Sequence, residues 1–459
     1  MIFGLGYHQI KVSTTGRGAM KKNHFRFNHL WALQDRFVIN ICMLGFLALL
    51  MPAFAAAQTT ESLIARAADE LQPKLVEIRR DFHMHPELSN REIRTSRMVA
   101  ERLKALGLEV KTGYGVVALL KGAHPGPVVA VRVDLDALPI QEVRDIPYKS
   151  KVNGVMHACG HDVHTTIGLG TAEVLAGMRD RLWGTVKFIF QPAEEDWPDG
   201  SPAGAARMVQ EGVLENPRPA ALFGLHVFAR PVGEVSYEPN GRVEASCDDF
   251  AITVRGKLTH GAMEPQKGVD AIVVAAECVM ALQTIHSRKM DPIQQMSLAI
   301  GTIQGGKATN IMADEVKLAG TLRTLDPGLR DSVKQNMRTI LAGITSAHGA
   351  SYELAFSVNC PMLFNDRGLT EASVPSLRKA AGAAKVMLDT PDLGSEDFAF
   401  YQQVVPGFYF NLGVFNKEKG IQAPIHTGSF DVDEACLSVG VKAMSNLLVD
   451  FLEREAAKH

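Results

Sequence analysis

From Thr59 onward the spacing of apolar residues switches repeatedly between two periods. In "TTESLIARAADELQPKLVEIRRDFHMHPELS" the positions Leu63, Ala67, Leu71, Leu75, Ile78 and Phe82 recur at helical spacing, and Pro86 ends the run. A second helix, "REIRTSRMVAERLKALG", closes at Gly107. "GVVALLKG" and "PVVAVRVDLDALP" are continuous apolar runs, as buried strands require. "HTTIGLGTAEVLAGMRDRL" returns to the helical period, and "GTVKFIFQPAEE" reads as a strand with a loop. "GAARMVQEGVL" is a helix and "AALFGLHVF" a strand. Strands alternating with helices predict an α/β fold with a central sheet covered on both faces.

The order changes near residue 247. "DDFAITVRGK", "GVDAIVVAAECVMALQTIHSR", "QMSLAIGTIQGG", "EVKLAGTLRTL", "PGLRDSVKQNMRTILAGITSAHG" and "SYELAFSVN" spell β-α-β-β-α-β, the ferredoxin-like arrangement. The α/β pattern resumes after residue 360. Residues 246–357 are therefore expected to be an α+β domain inserted between 58–245 and 358–459, and no internal repeat is present.

Composition narrows the function. The formal net charge of -2 lacks the basic excess of a nucleic-acid surface. A basic segment (Lys21, Lys22, Arg26, Arg36) precedes the apolar run "FVINICMLGFLALLMPAFAAA", which ends in small residues. Residues 1–57 thus read as a secretory signal, with Met20 an alternative start and a retained membrane anchor the alternative reading. Export to the periplasm or medium would remove Cys42 and leave Cys159, Cys247, Cys278, Cys360 and Cys436, an odd number with no disulfide spacing. A thiol in an oxidising compartment survives best when ligated, which points to Cys159.

Four strand ends carry metal-type residues: "HACGHD" (Cys159, His161, Asp162), "FQPAEE" (Glu194, Glu195), "GLHVF" (His226) and "PIHTGSF" (His426). Ligands of open α/β sheets gather at such ends. Each segment alone is weak. Cys159 and His161 together suit zinc and similar ions, and their i, i+2 spacing suits a loop or strand end. Together the set meets the needs of a two-metal hydrolase, in which about five or six ligands hold two divalent ions and a further carboxylate touches the attacking water. Neighbouring glutamates can divide that work, one ligating and one acting as general base. Manganese, zinc, cobalt and nickel all suit such a mixed site.

"RRDFHMHPELSNRE", "RVDLDALPI", "HACGHDVHT", "FQPAEE", "THGAMEPQKGVDA", "TNIMADE", "GSEDFAFY" and "IHTG" occur in this order over residues 60–455. The series resembles the M20-family amidohydrolases of the hippurate hydrolase and indole-acetyl-amino-acid hydrolase branch. The resemblance implies a zinc-peptidase-like catalytic domain with a mixed sheet, and an inserted lid or dimerisation domain that pairs two subunits. It implies that Cys159 bridges two metals, that Glu195 and His426 complete one site and His161 and His226 the other, and that Glu194 is the general base. It implies that His260 reaches a partner's site to stabilise the oxyanion, and that Asn310 and Arg323 hold the substrate carboxylate. Asp162 is expected to orient a ligand. His157, His164, Asp134 and Asp136 are expected to support the site, and Glu396 or Asp397 to hydrogen-bond a ligand loop. The implied reaction is hydrolysis of an N-acyl amino acid to a carboxylic acid and a free amino acid. A dipeptidase of the same fold and a non-catalytic exported binding protein are the alternatives.

Overall fold

Thr59 starts the first helix: its Oγ1 accepts the Ser62 N–H at 3.2 Å, satisfying one of the amides that a helix N-terminus leaves open. The structure is a computed structural model that describes residues 58–195 and 202–458. The expected signal segment, its anchor alternative and Cys42 lie outside the described residues. Helix α1 (Thr60–Met84) runs on through Pro73. It buries Ile64, Ala68, Leu75, Ile78 and Phe82, so near its start the buried row lies one position beyond the expected Leu63 and Ala67. An apolar face about 100° wide takes in both rows. Helix α2 is Ile93–Ala105.

Strands β1 (Glu109–Gly113), β2 (Gly115–Lys121) and β3 (His124–Asp134) lead to α3 (His161–Ala176) and β4 (Trp183–Gln191). Then come α4 (Gly204–Gln210), β5 (Ala221–Pro231), β6 (Val235–Tyr237) and β7 (Arg242–Glu244). A second group follows: β8 (Ser246–Arg255), α5 (Ala271–Leu282), β9 (Met296–Gly305), β10 (Glu315–Thr324), α6 (Pro327–His348) and β11 (Ser351–Cys360). The chain finishes through β12 (Leu363–Phe364), α7 (Arg367–Ala381), β13 (Val386–Leu388), β14 (Gly407–Phe415) and α8 (Cys436–Ala456).

The central sheet has eight strands in the order β1-β2-β4-β3-β5-β14-β6-β13. It is mixed: β3 runs parallel to β4 and β5, and β14 to β5, whereas β2 and β6 run antiparallel to β4 and β14. Alternation along each strand divides the core in two. Val129, Val131 and Val133 of β3, with Phe188 and Phe190 of β4, enter the core that also holds residues of α1, α3 and α8. Ala130, Ile189, Leu222 and Tyr409 enter a smaller core on the other face, with Phe398 and Tyr401. Burial on both faces explains why these strands read as unbroken apolar runs.

The second sheet is antiparallel, ordered β11-β8-β10-β9, and shares a separate core with α5 and α6. Its element order is the β-α-β-β-α-β read from the sequence.

Candidate metal centre

The central sheet brings β3, β4 and β5 to a common edge in parallel register. At that edge β3 ends in Asp134 and β4 in Gln191, just before Glu194 and Glu195, while β5 carries His226. Cys159 precedes α3, which begins at His161. The residue between them is Gly160, at φ +87, and a Cβ there would sit 2.4 Å from Val227 Cγ2. Only glycine allows that turn without a clash. His426 arrives from the loop after β14; its N–H donates to Ala158 O at 2.8 Å, which fixes it beside Cys159. His426 and Ala193 both hold positive φ, +61 and +52, a backbone strain that folded proteins retain mainly at functional sites.

The ligand-type atoms converge. Cys159 Sγ lies 3.2 Å from His226 Nε2 and 3.3 Å from His426 Nε2. His426 Nε2 is 3.1 Å from Glu195 Oε1. His161 Nε2 is 3.9 Å from Glu195 and 4.0 Å from Glu194. Of five such groups of three among the described residues, two trios contain Cys159: Cys159–His161–His226 and Cys159–Glu195–His426, while Glu194 falls in groups with His161 and Glu195 and with Glu396 and Asp397.

Supporting contacts aim these side chains. His161 Nδ1 faces Asp136 Oδ1 at 3.2 Å, which turns Nε2 toward the trios. His226 Nδ1 donates to Val227 O at 2.5 Å, leaving Nε2 toward Cys159. His164 bonds Asp134 through Nδ1 at 2.7 Å and accepts the Val227 N–H through Nε2 at 2.9 Å, so both its nitrogens are engaged in positioning β5. Asp136 also accepts the Glu195 N–H at 3.1 Å, and Glu92 Oε1 accepts the Ala193 N–H at 2.8 Å. Asp397 accepts from Gln191 Nε2 at 2.7 Å and from Arg132 at 2.6 Å, so it anchors the strand end before the glutamates where a bond to a ligand loop was expected.

Asp162 departs from expectation. It does not orient a ligand: its Oδ2 takes Arg79 Nε and His83 Nδ1, both at 2.8 Å, in a buried cluster with Asp431. As second residue of α3, it points away from the side that His161 presents. His157 is buried with neither ring nitrogen hydrogen-bonded, and burial lowers its pKa to about 4.

The residues fit a pair of cations. His161 Nε2 is buried and has no hydrogen-bond partner, an orphan aimed at the carboxylates. Burial, then the Glu195 and Glu194 charges, push the Cys159 thiol up, and burial with Glu396 and Glu195 pushes Glu194 up. Burial opposes the charge on His161, yet Asp134, Asp136 and Glu195 raise it to about 10. Protons thus gather where divalent charge would displace them.

A cavity of about 570 Å³ opens over the trios. Its far wall comes from the second sheet and its connections: Glu244, Cys247, Asp249, Arg323 and Cys360. Arg323 Nη1 donates to Leu393 O at 2.9 Å and Ser395 Oγ at 3.3 Å, which holds its guanidinium at that wall. His260 and Asn310 lie elsewhere, on segments flanking α5 and β10, 3.4 Å from each other, and neither lines this cavity. The sequence reading passed over Glu92, Arg132 and Gln191, although all three fall inside or beside the quoted motifs. Their signal is a charged or amide residue in or at the end of an apolar strand, or just before a helix.

Residues 130–450 match the model of peptidase family M20/M25/M40. An N-acyl-L-amino acid amidohydrolase of Geobacillus stearothermophilus is 42% identical over 316 residues, 67% of this chain and 83% of its own. The thermostable carboxypeptidase 2 of Saccharolobus solfataricus is 38% identical over 388 residues, 83% of this chain and 96% of its own. A solved dinuclear metal-binding peptidase of the M20 family from Bacillus subtilis matches with TM-score 0.72 at 33% identity, over 84% of this chain and 99% of that one. These relatives include an amidohydrolase and a carboxypeptidase, so the hippurate hydrolase branch is not singled out.

Proposed function

Because the chain belongs to peptidase family M20/M25/M40, we propose that it hydrolyses the amide bond of N-acyl amino acids, with Glu194 as general base. The observation that carries this reading is the pair of trios sharing Cys159, with Glu194 beside them and Arg323 across the same cavity. Cys159, His161 and His226 would hold one cation, and Cys159, Glu195 and His426 the other. When bound, two divalent cations supply Lewis-acid polarisation of the carbonyl and lower the pKa of a water.

Glu194 takes the proton of the attacking water and passes it to the leaving nitrogen. Its loop is held at Ala193 by Glu92 and at Glu195 by Asp136, so the carboxyl stays in place through both transfers. The Arg323 fork receives the substrate's carboxylate, a pairing that planar guanidinium geometry favours. Burial, with Glu396 and Asp392 nearby, holds the neighbouring Glu244 carboxyl well above its usual range, which weakens its competition with the substrate for Arg323.

His260 Nδ1 faces the Ala262 and Met263 N–H groups at 3.3 and 3.2 Å. With Nδ1 accepting, the neutral ring carries its proton on Nε2, which could donate to an oxyanion once the Asn310 amide, whose Nδ2 lies 3.4 Å away, turns aside. With His260 and Asn310 outside this cavity, the reading includes a homodimer in which these residues serve the partner's site. Exposed Ile272, Val273 and Met280 on α5 support such a contact.

Released amino acid should be followed with metal-loaded protein, using N-acetyl, N-benzoyl and longer-acyl amino acids alongside free dipeptides, with and without chelator. Chelator-sensitive release from acyl amino acids is expected. Release from dipeptides alone would move the assignment to a dipeptidase, for which Asp249 and Asp392 on the cavity wall offer partners to a substrate ammonium. Bound metal with no release from either class would favour the binding protein.

A further inference from the structure

The described residues hold five free cysteines. Cys159 belongs to the metal trios. Cys278 is packed in the core of the second sheet and Cys436 in the core beneath the central sheet, so neither meets another thiol. Cys247 and Cys360 are different. Cys247 is the second residue of β8, Cys360 is the last of β11, and the two are register partners across this antiparallel pair, next to an irregularity after Ser357. Facing residues of antiparallel strands have Cα atoms roughly 4.5–5.5 Å apart. Disulfides span Cα separations of roughly 4.4–6.8 Å.

Both thiols line the wall of the catalytic cavity. Each has other partners in this structure: Cys247 Sγ is 3.7 Å from Thr321 Oγ1, and Cys360 Sγ is 3.6 Å from both Glu396 O and Pro361 O. Burial, then Asp397 and Cys247 itself, push the Cys360 thiol up.

We propose that Cys247 and Cys360 are an oxidisable pair that closes to a disulfide by exchange with a small-molecule or protein disulfide. The Cys247 thiolate attacks one sulfur of the oxidant and displaces its partner as a thiol. Cys360 gives up its proton and attacks the Cys247 sulfur of the mixed disulfide, releasing the second thiol. Two protein thiols lose two electrons, and one oxidant disulfide becomes two thiols.

The position gives this bond a consequence. The chain enters the second sheet from β7 into β8 and leaves it from β11 into β12, and β7 pairs with β12 through Glu244 and Leu363. The disulfide therefore ties the two connections between the sheets. On its other side Cys247 is the register partner of Arg323. Drawing Cys247 toward β11 shifts the wall that presents the guanidinium, so oxidation raises KM several-fold and changes kcat less.

The test uses the metal-loaded full chain in glutathione buffers of graded redox poise, quenched by alkylation and mapped by mass spectrometry. With the alkylating quench carried out in denaturant, so that buried thiols react, the expected result is a linked pair of peptides containing Cys247 and Cys360, reversed by dithiothreitol, with Cys278 and Cys436 alkylated throughout. Alkylation of both at every poise, a link to Cys159, or a glutathione adduct resting on either one overturns the proposal. The map is read on the wild-type chain, so it stands even if Cys247→Ser or Cys360→Ser folds poorly, and it is independent of the substrate assignment. Where the variants fold, each should abolish the redox dependence of KM. A linked pair with unchanged KM overturns the coupling to the cavity wall.

Discussion

Glu194 and Glu195 are adjacent in sequence yet meet different surroundings. Glu195 Oε1 is 3.1 Å from His426 Nε2, whereas burial and the Glu396 charge hold Glu194 well above the usual carboxylate range. Glu194→Gln is expected to lower kcat by about 10²–10⁴ with metal content unchanged, read by turnover and elemental analysis side by side. Cys159→Ala should instead lose metal, since its sulfur belongs to both trios. Glu92 offers a pH test. Burial, then Asp136, raises its pKa to about 8 from an ordinary 4.5. The folded chain therefore keeps a proton that the unfolded chain releases above pH 4.5, and the stability present at low pH is lost as pH rises through about 8. Glu92→Gln retains an oxygen for the Ala193 N–H and cannot ionise. It should be more stable than wild type at pH 9, by up to about 5 kcal/mol, and equal to it at pH 4, read by denaturant unfolding at both pH values. The ligand-type residues were legible because thiol, imidazole and carboxylate cluster in short motifs. Glu92 was not, because a glutamate just before a helix reads as an ordinary solvated charge until the fold brings Ala193 against it.

At the scale of elements, α1 and α3 join through charge as well as apolar contact. Arg79 of α1 is fully buried against Asp162 of α3 at 2.8 Å, with Asp431 at 3.3 Å and Glu434 at 3.5 Å. Arg79→Leu leaves the buried Asp162 carboxylate with His83 alone, while Asp431 keeps Arg144 and Glu434 keeps Arg80, and should cost about 3 kcal/mol, seen as a lower urea midpoint. Although burial opposes it, Arg79 and His83 hold the Asp162 carboxyl far below its usual range. Its contribution is present at neutral pH and fades in acid, so the deficit of the variant should shrink as pH falls. The sharp turn into α3 gives a second test: Gly160→Ala adds a methyl 2.4 Å from Val227 Cγ2 at positive φ, and should cost about 1–3 kcal/mol in thermal melts. Helical period predicts α1 but not its buried arginine. Spacing alone assigns Arg79 to a polar face, and only the tertiary partners on α3 and the loop before α8 make burial tolerable.

At the scale of the molecule, the five ligand-type residues come from the turn into α3 and its first residue, the loops after β4 and β14, and the middle of β5, so cations held by them would join segments from across the chain. Chelation should lower the melting temperature, with a loss of about 2.7 kcal/mol if free metal had stood a hundredfold above its dissociation constant. A melting curve indifferent to chelator would mean that the trios do not hold metal in the folded state. The sequence showed that strands and helices alternate and where the second sheet begins, because both follow from local period. It did not show which strands neighbour one another, nor the short strands β6, β7, β12 and β13, whose two or three residues are too few to show a period. The order β5-β14-β6 has its own outcome during synthesis. As the ribosome delivers the chain, β5 and β6 emerge well before the strand that belongs between them. Until β14 arrives β5 and β6 lack the strand that hydrogen-bonds between them, leaving unpaired backbone groups on both, and His426 follows only after β14. A metal site that needs His426 would therefore be completed late, and a chain stalled before β14 would display an incomplete sheet to the chaperones and proteases that survey unfinished proteins.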